Sequence, residues 1–493
     1  MGISTVKLNG VTLMTVNDTT ATANDVINKY FYTADGTKTL GTASGSSLEE
    51  KAVNFYDYDG ELLYAYTAQE FLALNAFPTN PTHEGLTAQG WNWSLSDAKT
   101  YVASYGMLDI GQSYTTDDGK TRLHISFPQD SLESYWTMSI NFTASVNGAV
   151  TIEWGDNSTT TSSGTSSKEY THTYAAPGDY TISLYAANGT INFGTNIIGT
   201  NYNVRGFRPK IKEVNIGNNT GISGAVFQYC NGLERISLPY GLTTIGGQNV
   251  FTSSNLKALV LPNGFTGFTG NTIFSSCYNL KVLCLPNTIT STPSTFLSSC
   301  NGLKSLIIPS SVTSISTSLS PNVYSLDRLS IPSSVMQTSS NMASYAKFKK
   351  VVYKSTCTPD FSNCKYIEEF DFPYGTTVVG GFYQCSSLKR VSIPSTVTEI
   401  ASSAFSSCVS LCTPVYIGAN VQSIGGSAFQ NCYSLPAIYL YATTPPTLGT
   451  KVFSNTGNTA NPFKIIVPHG YLSVYQNDTN WSAYASRIVE MPA

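Results

Sequence analysis

Charge is scarce in this chain. Of its 493 residues, 12% are Asp, Glu, Lys or Arg, about half the roughly 25% of ordinary soluble domains. The formal net charge is -3. No basic stripe is available to neutralise phosphates, so general nucleic-acid binding is excluded. Long apolar runs are also missing. None approaches the roughly 18 residues of a membrane span, so no membrane insertion is expected. The first residues, MGISTVKLNGVTLM, have no basic start followed by an apolar core, so no secretory signal is visible. The last, SRIVEMPA, carry no anchor. Histidine is rare: His83, His124, His172 and His469 are scattered over different segments. No Cys-x-x-Cys pair, phosphate-binding loop or Gly-x-Ser-x-Gly elbow occurs. His83-Glu84 has no second histidine four residues after His83 to complete a zinc-protease motif. The carboxylate pairs Asp57/Asp59 and Asp117/Asp118 sit in Asp-Gly turns, where turn geometry accounts for them. The expectation is a protein without catalytic activity and without a cofactor. Glycosidases can still hide two carboxylates far apart in a sequence. Calcium at the Asp-rich turns would lack both an EF-hand and a nonapeptide pattern.

What the chain does contain is Ser, Thr, Asn and Gly for polarity, 31 Tyr and 41% hydrophobic residues. That is enough apolar material for real cores, which excludes wholesale disorder. The length allows about three or four domains. The composition is that of β-rich extracellular or virion proteins. A β-rich adhesive chain with no export signal fits a particle assembled inside a cell and released by lysis.

Self-similarity is the strongest pattern. Leu-x-x-Leu-x-Leu/Ile-Pro recurs as LERISLP, LKALVLP, LKVLCLP, LKSLIIP, LDRLSIP, IEEFDFP and LKRVSIP. The closing prolines are Pro239, Pro262, Pro286, Pro309, Pro332, Pro373 and Pro394, in steps of 23, 24, 23, 23, 41 and 21 residues. The wide step holds a degenerate copy around Phe348–Tyr353, and two more copies end without proline near Ile417 and Leu440. Such a period predicts short parallel strands stacked coil on coil, with Leu233, Ile236, Leu238 and their equivalents facing one core. Seven of the ten cysteines share the frame Phe-x(2,3)-Cys-x-x-Leu/Ile: Cys230, Cys277, Cys300, Cys364, Cys385, Cys408 and Cys432. One small buried thiol per coil reads as a core ladder. Disulfides between adjacent coils are the alternative, and the state of Cys284, Cys357 and Cys412 is open.

The frame in FYQCSSLKRVSIPSTVTEI resembles the BspA-type leucine-rich repeat of bacterial and phage surface proteins. The resemblance covers 205–440 and implies a binding or adhesion scaffold without catalysis. Residues 441–493 break the period and are expected to cap the solenoid, with Trp481 and Tyr484 covering the last coil. Over 130–195, Trp154-Gly155-Asp156, His172-x-Tyr174 and Gly178-x-Tyr180 resemble the PKD domain, an immunoglobulin-like sandwich. That family implies a spacer or binding module in which the Gly-Asp turn and the His-x-Tyr strand are structural. Residues 50–125 open with a strand, an Asp-Gly turn and a second strand, and look like a diverged Listeria–Bacteroides repeat, a β-grasp-like module. A helical stretch, SLSDAKTYVASYG, is inserted, with Ser94 or Ser96 as its N-cap. Residues 1–45 are similar to a segment at the front of phage tail and fibre proteins, matching at Asp18, Thr20, Thr22, Ala23, Val26, Tyr32, Ala34, Gly36, Gly41 and Thr42. That resemblance implies a particle-docking segment.

The expected fold is therefore mainly β: small β modules followed by a leucine-rich-repeat solenoid. In-register stacking would line up Lys257, Lys281 and Lys304 as a basic row for an anionic glycan or teichoic-type polymer. Tyr240, Tyr324, Tyr374, Tyr416, Tyr439 and Tyr441, at strand ends and turns, are the aromatic candidates for sugar rings or protein contacts. The functional expectation is a bacteriophage virion protein of the tail fibre or tail tip that recognises the bacterial surface. Its partners would be other virion proteins, through the N-terminal segment, and a bacterial surface glycan or protein receptor. It would be multimeric in the particle and extracellular after release. A phage head or neck decoration protein and a bacterial surface adhesin are the alternatives.

Overall fold

The computed structural model describes residues 51–492 apart from 128–138, 165–166, 187–189, 194–209, 219, 294–296, 316–324, 337–346, 349 and 458–461. Before residue 51 it describes only the strands Thr5–Leu8, Val11–Thr15, Ile27–Tyr32 and Lys38–Thr42, paired as two antiparallel hairpins. Apart from those strands, the docking segment expected over 1–45 lies outside the described residues.

The protein is mainly β, with a solenoid of about 11 turns. Each coil contributes a short strand to one face, such as Arg235–Ser237, Ala258–Val260, Val282–Cys284 and Ser305–Ile307, and most add a two-residue strand to another, such as Thr244–Ile245, Ser291–Thr292 and Glu399–Ile400. The pairing is parallel and in register, with Leu259 opposite Leu283 and Leu306 opposite Leu329. The inward leucines are buried, and each proline ends its strand where a missing N–H breaks no ladder. Phenylalanines stack along the axis. Phe227, Phe251 and Phe274 lie 5.5 and 5.4 Å apart with planes within 6°. Phe405 and Phe429 repeat the arrangement at 5.4 Å.

All ten cysteines are free thiols, and the seven in the repeat frame are buried. They do more than fill space. The Sγ–H of Cys277, Cys300, Cys385, Cys408 and Cys432 donates to the carbonyl of Phe251, Phe274, Phe361, Phe382 and Phe405, in each case in the preceding coil, at 2.9–3.1 Å. In the last coil Thr456 takes the same place, its Oγ1 donating to the Phe429 carbonyl at 2.8 Å. Burial pushes the Cys408 thiol well up and Cys432 to about 12, so both stay protonated donors. The residue just before each cysteine turns left-handed: Ser276, Ser299, Gln384, Ser407 and Asn431 have φ of 59–62°. Polar residues that tolerate this region explain part of the Ser and Asn content.

The sandwich and the solenoid form one body. The strand Thr121–Phe127 pairs antiparallel with Gly178–Ala186 of the sandwich and with Lys210–Asn215, which in turn pairs parallel with Arg235–Ser237 of the first coil. The opposite sheet does the same through Ile191–Phe193, antiparallel to Ser139–Val146 and parallel to Thr220–Ile222. A single apolar core runs from Leu123 to Ile488. The sandwich thus satisfies the edge hydrogen bonds that a bare first coil would expose. It is the N-terminal cap. At the other end, Lys464–Val467 and Ile488–Glu490 add two parallel strands beyond Ala437–Leu440. The expected break in period at 441 is therefore a change of turn, because Ile465 and Val467 keep the inward alternation. Trp481 is fully buried and its Nε1 donates to the Pro446 carbonyl at 2.7 Å.

Residues 51–127 carry a four-stranded sheet in the order Leu62–Tyr66, Val53–Tyr56, Leu108–Thr116, Leu86–Trp91, with the central pair parallel. The helix Leu95–Tyr105 starts at Ser94, whose Oγ accepts from the Asp97 N–H, and ends at left-handed Gly106. All nine residues of Leu108–Thr116 are buried. One face packs on the module's own core, and the other lies against the solenoid.

Candidate binding surface

Each solenoid strand turns alternate side chains outward. In the early coils these outward residues are Ala258, Val260, Val282, Cys284, Ser305, Ile307, Arg328 and Ser330, and most are buried. The 51–127 module covers them. Gly111 makes this possible, because a Cβ there would stand 2.5 Å from both methyl groups of Val260. The Trp93 Nε1 donates to the Leu285 carbonyl at 2.8 Å, and the Tyr101 hydroxyl donates to the Ile308 carbonyl at 2.7 Å. The Asn92 amide donates to the Cys284 carbonyl at 3.2 Å. Arg328 Nη1 meets Asp109 at 3.0 Å, and Arg328 Nη2 donates to the Ala52 carbonyl at 2.7 Å. Cys284 is thus an interface thiol, and burial followed by the nearby Asp109 charge pushes it well up. Cys357 is half-buried and Cys412 exposed.

From Glu369 onward the same face is open. Its outward residues are Glu369 and Asp371, Arg390 and Ser392, Tyr416, Tyr439, Ile466 and Val489. Arg390 binds Asp371 through both terminal nitrogens, at 2.7 and 3.2 Å, and reaches Glu369 at 2.8 Å. Tyr416 and Tyr439 stack with centroids 4.8 Å apart and planes 24° apart.

The lysines stack as a row, since the Lys281 N–H donates to the Lys257 carbonyl and the Lys304 N–H to the Lys281 carbonyl. The row is not purely basic. Lys257 pairs with Glu234 of the preceding coil, and Lys389 pairs with Glu368 in the same way. Lys281 and Lys304 are exposed. Lys304 lines a cleft of about 750 Å³ with Asp327, Lys347, Phe348, Tyr366 and Glu368. The cleft sits at the wide repeat step, where the strands Lys350–Tyr353 and Glu369–Asp371 belong to separate sheets.

Of the candidate tyrosines among the described residues, the structure brings Tyr416 and Tyr439 into ring contact. Tyr240 is exposed in a turn, where its backbone N–H donates to the Gln89 side chain, and Tyr374 and Tyr441 are exposed in other turns. Tyr324 lies outside the described residues. Tyr278, Tyr366, Tyr383 and Tyr433 are also exposed, beside the cysteines of their coils. Their position in the Phe-x-x-Cys frame was visible in the sequence, yet only the strand-end tyrosines stood out there.

Two His–Asp contacts need a chemical account. His83 Nε2 lies 2.7 Å from Asp57, which is 2% exposed. The ring meets Tyr58 and Tyr114 edge-on at 5.2 and 5.0 Å. Asp57 therefore holds this ring as well as its turn. In the sandwich, the Ser158 Oγ donates to one oxygen of Asp156 and His172 Nε2 meets the other at 2.7 Å. The carboxylate stands between hydroxyl and imidazole, so the imidazole does not touch the hydroxyl, unlike the order of a nucleophilic triad. His172 stacks on Trp154 at 4.7 Å. Among the described residues, no group of three or more His, Cys, Asp or Glu could hold a metal ion, and no helix is long and apolar enough to cross a membrane.

The architecture is that of a capped repeat scaffold with one face half covered. The chain belongs to the BspA type leucine-rich repeat family, which matches residues 190–281, 247–359 and 359–468, together more than half its length. The PKD domain matches residues 137–192. A solved leucine-rich repeat protein from Bacteroides ovatus is similar at 21% identity, over 62% of this chain and 97% of that one, with a TM-score of 0.40. A leucine-rich cell surface protein from Faecalibacterium prausnitzii is similar at 16% identity, over 62% and 95%, with a TM-score of 0.31. The pneumococcal vaccine antigen PcpA is similar at 14% identity, over 62% and 86%, also at 0.31. These likenesses are too slight to carry an argument about binding. No curated protein matches the chain.

Proposed function

We propose that this chain is a non-catalytic adhesion protein that recognises a surface through the open half of its solenoid face. The observation that carries the reading is the contrast along one face of the solenoid. Where the module docks, outward residues are mostly apolar and mostly buried; from Glu369 they are charged at Glu369, Asp371 and Arg390, then aromatic at Tyr416 and Tyr439, and all of these are half-buried or exposed. Membership of a repeat family that builds binding scaffolds supports it. Repeated weak contacts on many copies would give firm attachment through effective concentration. The carrier favoured by the repeat family is the bacterial cell surface. A second reading, a phage virion, rests on the residues from Asp18 to Thr42 that resemble tail-protein fronts.

The test is adhesion of the purified full chain to bacterial cells, with the chain located by antibody in cell-surface fractions and in purified phage particles. Adhesion with surface labelling supports the cellular adhesin. Adhesion with the chain found in particles supports the virion reading. No adhesion to any cell type would sink both.

A further inference from the structure

Tyr416 and Tyr439 occupy outward positions directly opposite each other on neighbouring parallel strands. Their ring separation of 4.8 Å equals the coil spacing of about 4.7–4.9 Å. The two rings therefore stand on edge across the sheet, stacked along the solenoid axis. One face of Tyr416 is covered by Tyr439. The other points toward the preceding strand, Arg390–Ser392, whose outward residue is the small, exposed Ser392. One coil further back stands Asp371, paired in register with Ser392. The result is a slot one coil wide, with an aromatic wall at Tyr416, a hydroxyl floor at Ser392 and a carboxylate–guanidinium wall at Asp371 and Arg390.

Asp371 and Tyr416 are two coils apart, roughly 9–10 Å. A ring stacked on Tyr416 at about 3.5–4 Å leaves roughly 5–6.5 Å to the far wall, a gap that a hydroxyl projecting from the ring bridges directly or through one water. At the far wall Arg390 contacts both Asp371 and Glu369. The charge there is settled. The carboxylates Glu368, Glu369 and Asp371 outnumber Lys389 and Arg390 by one. An anionic sugar would meet net negative charge beside the slot. An uncharged one would offer C–H surface to the tyrosine and hydroxyls to Ser392, Asp371 and Arg390.

We propose that this slot binds a neutral pyranose residue of a cell-surface polysaccharide. The inference rests on the adhesion reading and names its ligand class. It also assigns recognition to the Tyr416 slot rather than to the lysine row.

The experiment measures binding of the full chain to immobilised neutral polysaccharides (mannan, galactan, β-glucan) and acidic ones (alginate, polysialic acid). Wild type should bind at least one neutral polymer and neither acidic one. Tyr416→Ala, which removes the stacking wall, and Ser392→Phe, which fills the slot, should each weaken binding at least about tenfold. Tyr416→Phe should keep it, and Tyr374→Ala, outside the slot, should leave it unchanged. Melting curves for the variants separate loss of the slot from loss of the fold, and Ser392→Phe provides a second route to the same answer. Absence of binding to every neutral polymer, preference for an acidic one, or unchanged binding in both slot variants would overturn the proposal. Cell adhesion by wild type and Tyr416→Ala alike would overturn the slot and leave the adhesion reading standing. No adhesion by wild type would remove the adhesion reading itself.

Discussion

Replacing Arg328 by Met tests whether the 51–127 module is bound to the solenoid or merely rests on it. Arg328 bridges the two, contacting Asp109 at 3.0 Å and the Ala52 carbonyl at 2.7 Å. Both side chains are largely out of water, at 15% and 5% exposure. Methionine fills similar space but leaves the Asp109 carboxylate buried, with only the Asn54 amide, at 3.0 Å, still donating to it. Breaking a buried pair from one side costs about 3–5 kcal/mol. The loss falls on the interface, so it should appear as local opening. Amide exchange in Leu108–Thr116 should speed up by about a hundredfold to a few thousandfold. The coils beyond Glu369 should be unaffected. The double variant Arg328→Met/Asp109→Leu removes both charges and should recover most of the protection, because an apolar pair can replace a buried ion pair at little cost. Unchanged exchange in Arg328→Met, or a double variant no better than the single one, would refute the reasoning.

Two other predictions are independent of that interface. Cys408→Ala should destabilise the neighbouring coils by about 0.5–1.5 kcal/mol, because the Phe382 carbonyl keeps the Cys385 N–H but loses the thiol as its second donor. Cys408→Thr should lose less, as Thr456 already fills the equivalent place; equal melting temperatures for the two variants would contradict the donor role. In the sandwich, the Ser158 hydroxyl, followed by His172, holds the Asp156 carboxyl down at about 2. Its unfolded value is about 3.9. A depressed carboxyl contributes stability above its unfolded value and loses it as pH falls through the folded one. Trp154 fluorescence should therefore report weakening of the sandwich between about pH 4 and pH 2. In Asp156→Asn that acid-dependent loss should shrink, leaving the part due to Asp179, which Ser126 and then Lys212 also hold below the usual carboxylate range, and an undiminished loss would assign it elsewhere.

The solenoid was legible because its pattern repeats: leucines, proline and cysteine recur at a fixed spacing, and each has a physical reason. The thiol ladder followed from the same frame, though its hydrogen bonds did not, since a free cysteine reads first as a small apolar side chain. The covered face was legible in principle. LKALVLP and LKSLIIP are nearly continuous apolar runs, the signature of strands buried on both sides, whereas IEEFDFP and LKRVSIP alternate. Reading all of them by their shared leucines hid the difference. The capping role of the sandwich was not legible, because it depends on pairing between Thr121–Phe127 and strands far away in sequence. The lysine row was visible as spacing. That Glu234 would take Lys257 from it depends on side-chain reach across coils. Of the tyrosines, position in the repeat identified Tyr416 and Tyr439, but only the stacked geometry sets them apart from Tyr374 or Tyr441.

The strap of the 51–127 module across the early coils also divides the repeat array into two evolutionary regimes. Gln89, Trp93, Tyr101 and Asp109 grip coils from Tyr240 to Arg328 at fixed intervals. Deleting or duplicating a coil in that stretch would shift every later grip point by one spacing and tear the strap loose. Past Glu369 nothing among the described residues spans the coils in this way. There, whole units can be copied, lost or exchanged in frame while both ends stay capped. The block that can change its copy number is also the block that carries the Tyr416–Tyr439 stack, so a lineage can redraw its contact surface without rebuilding its scaffold.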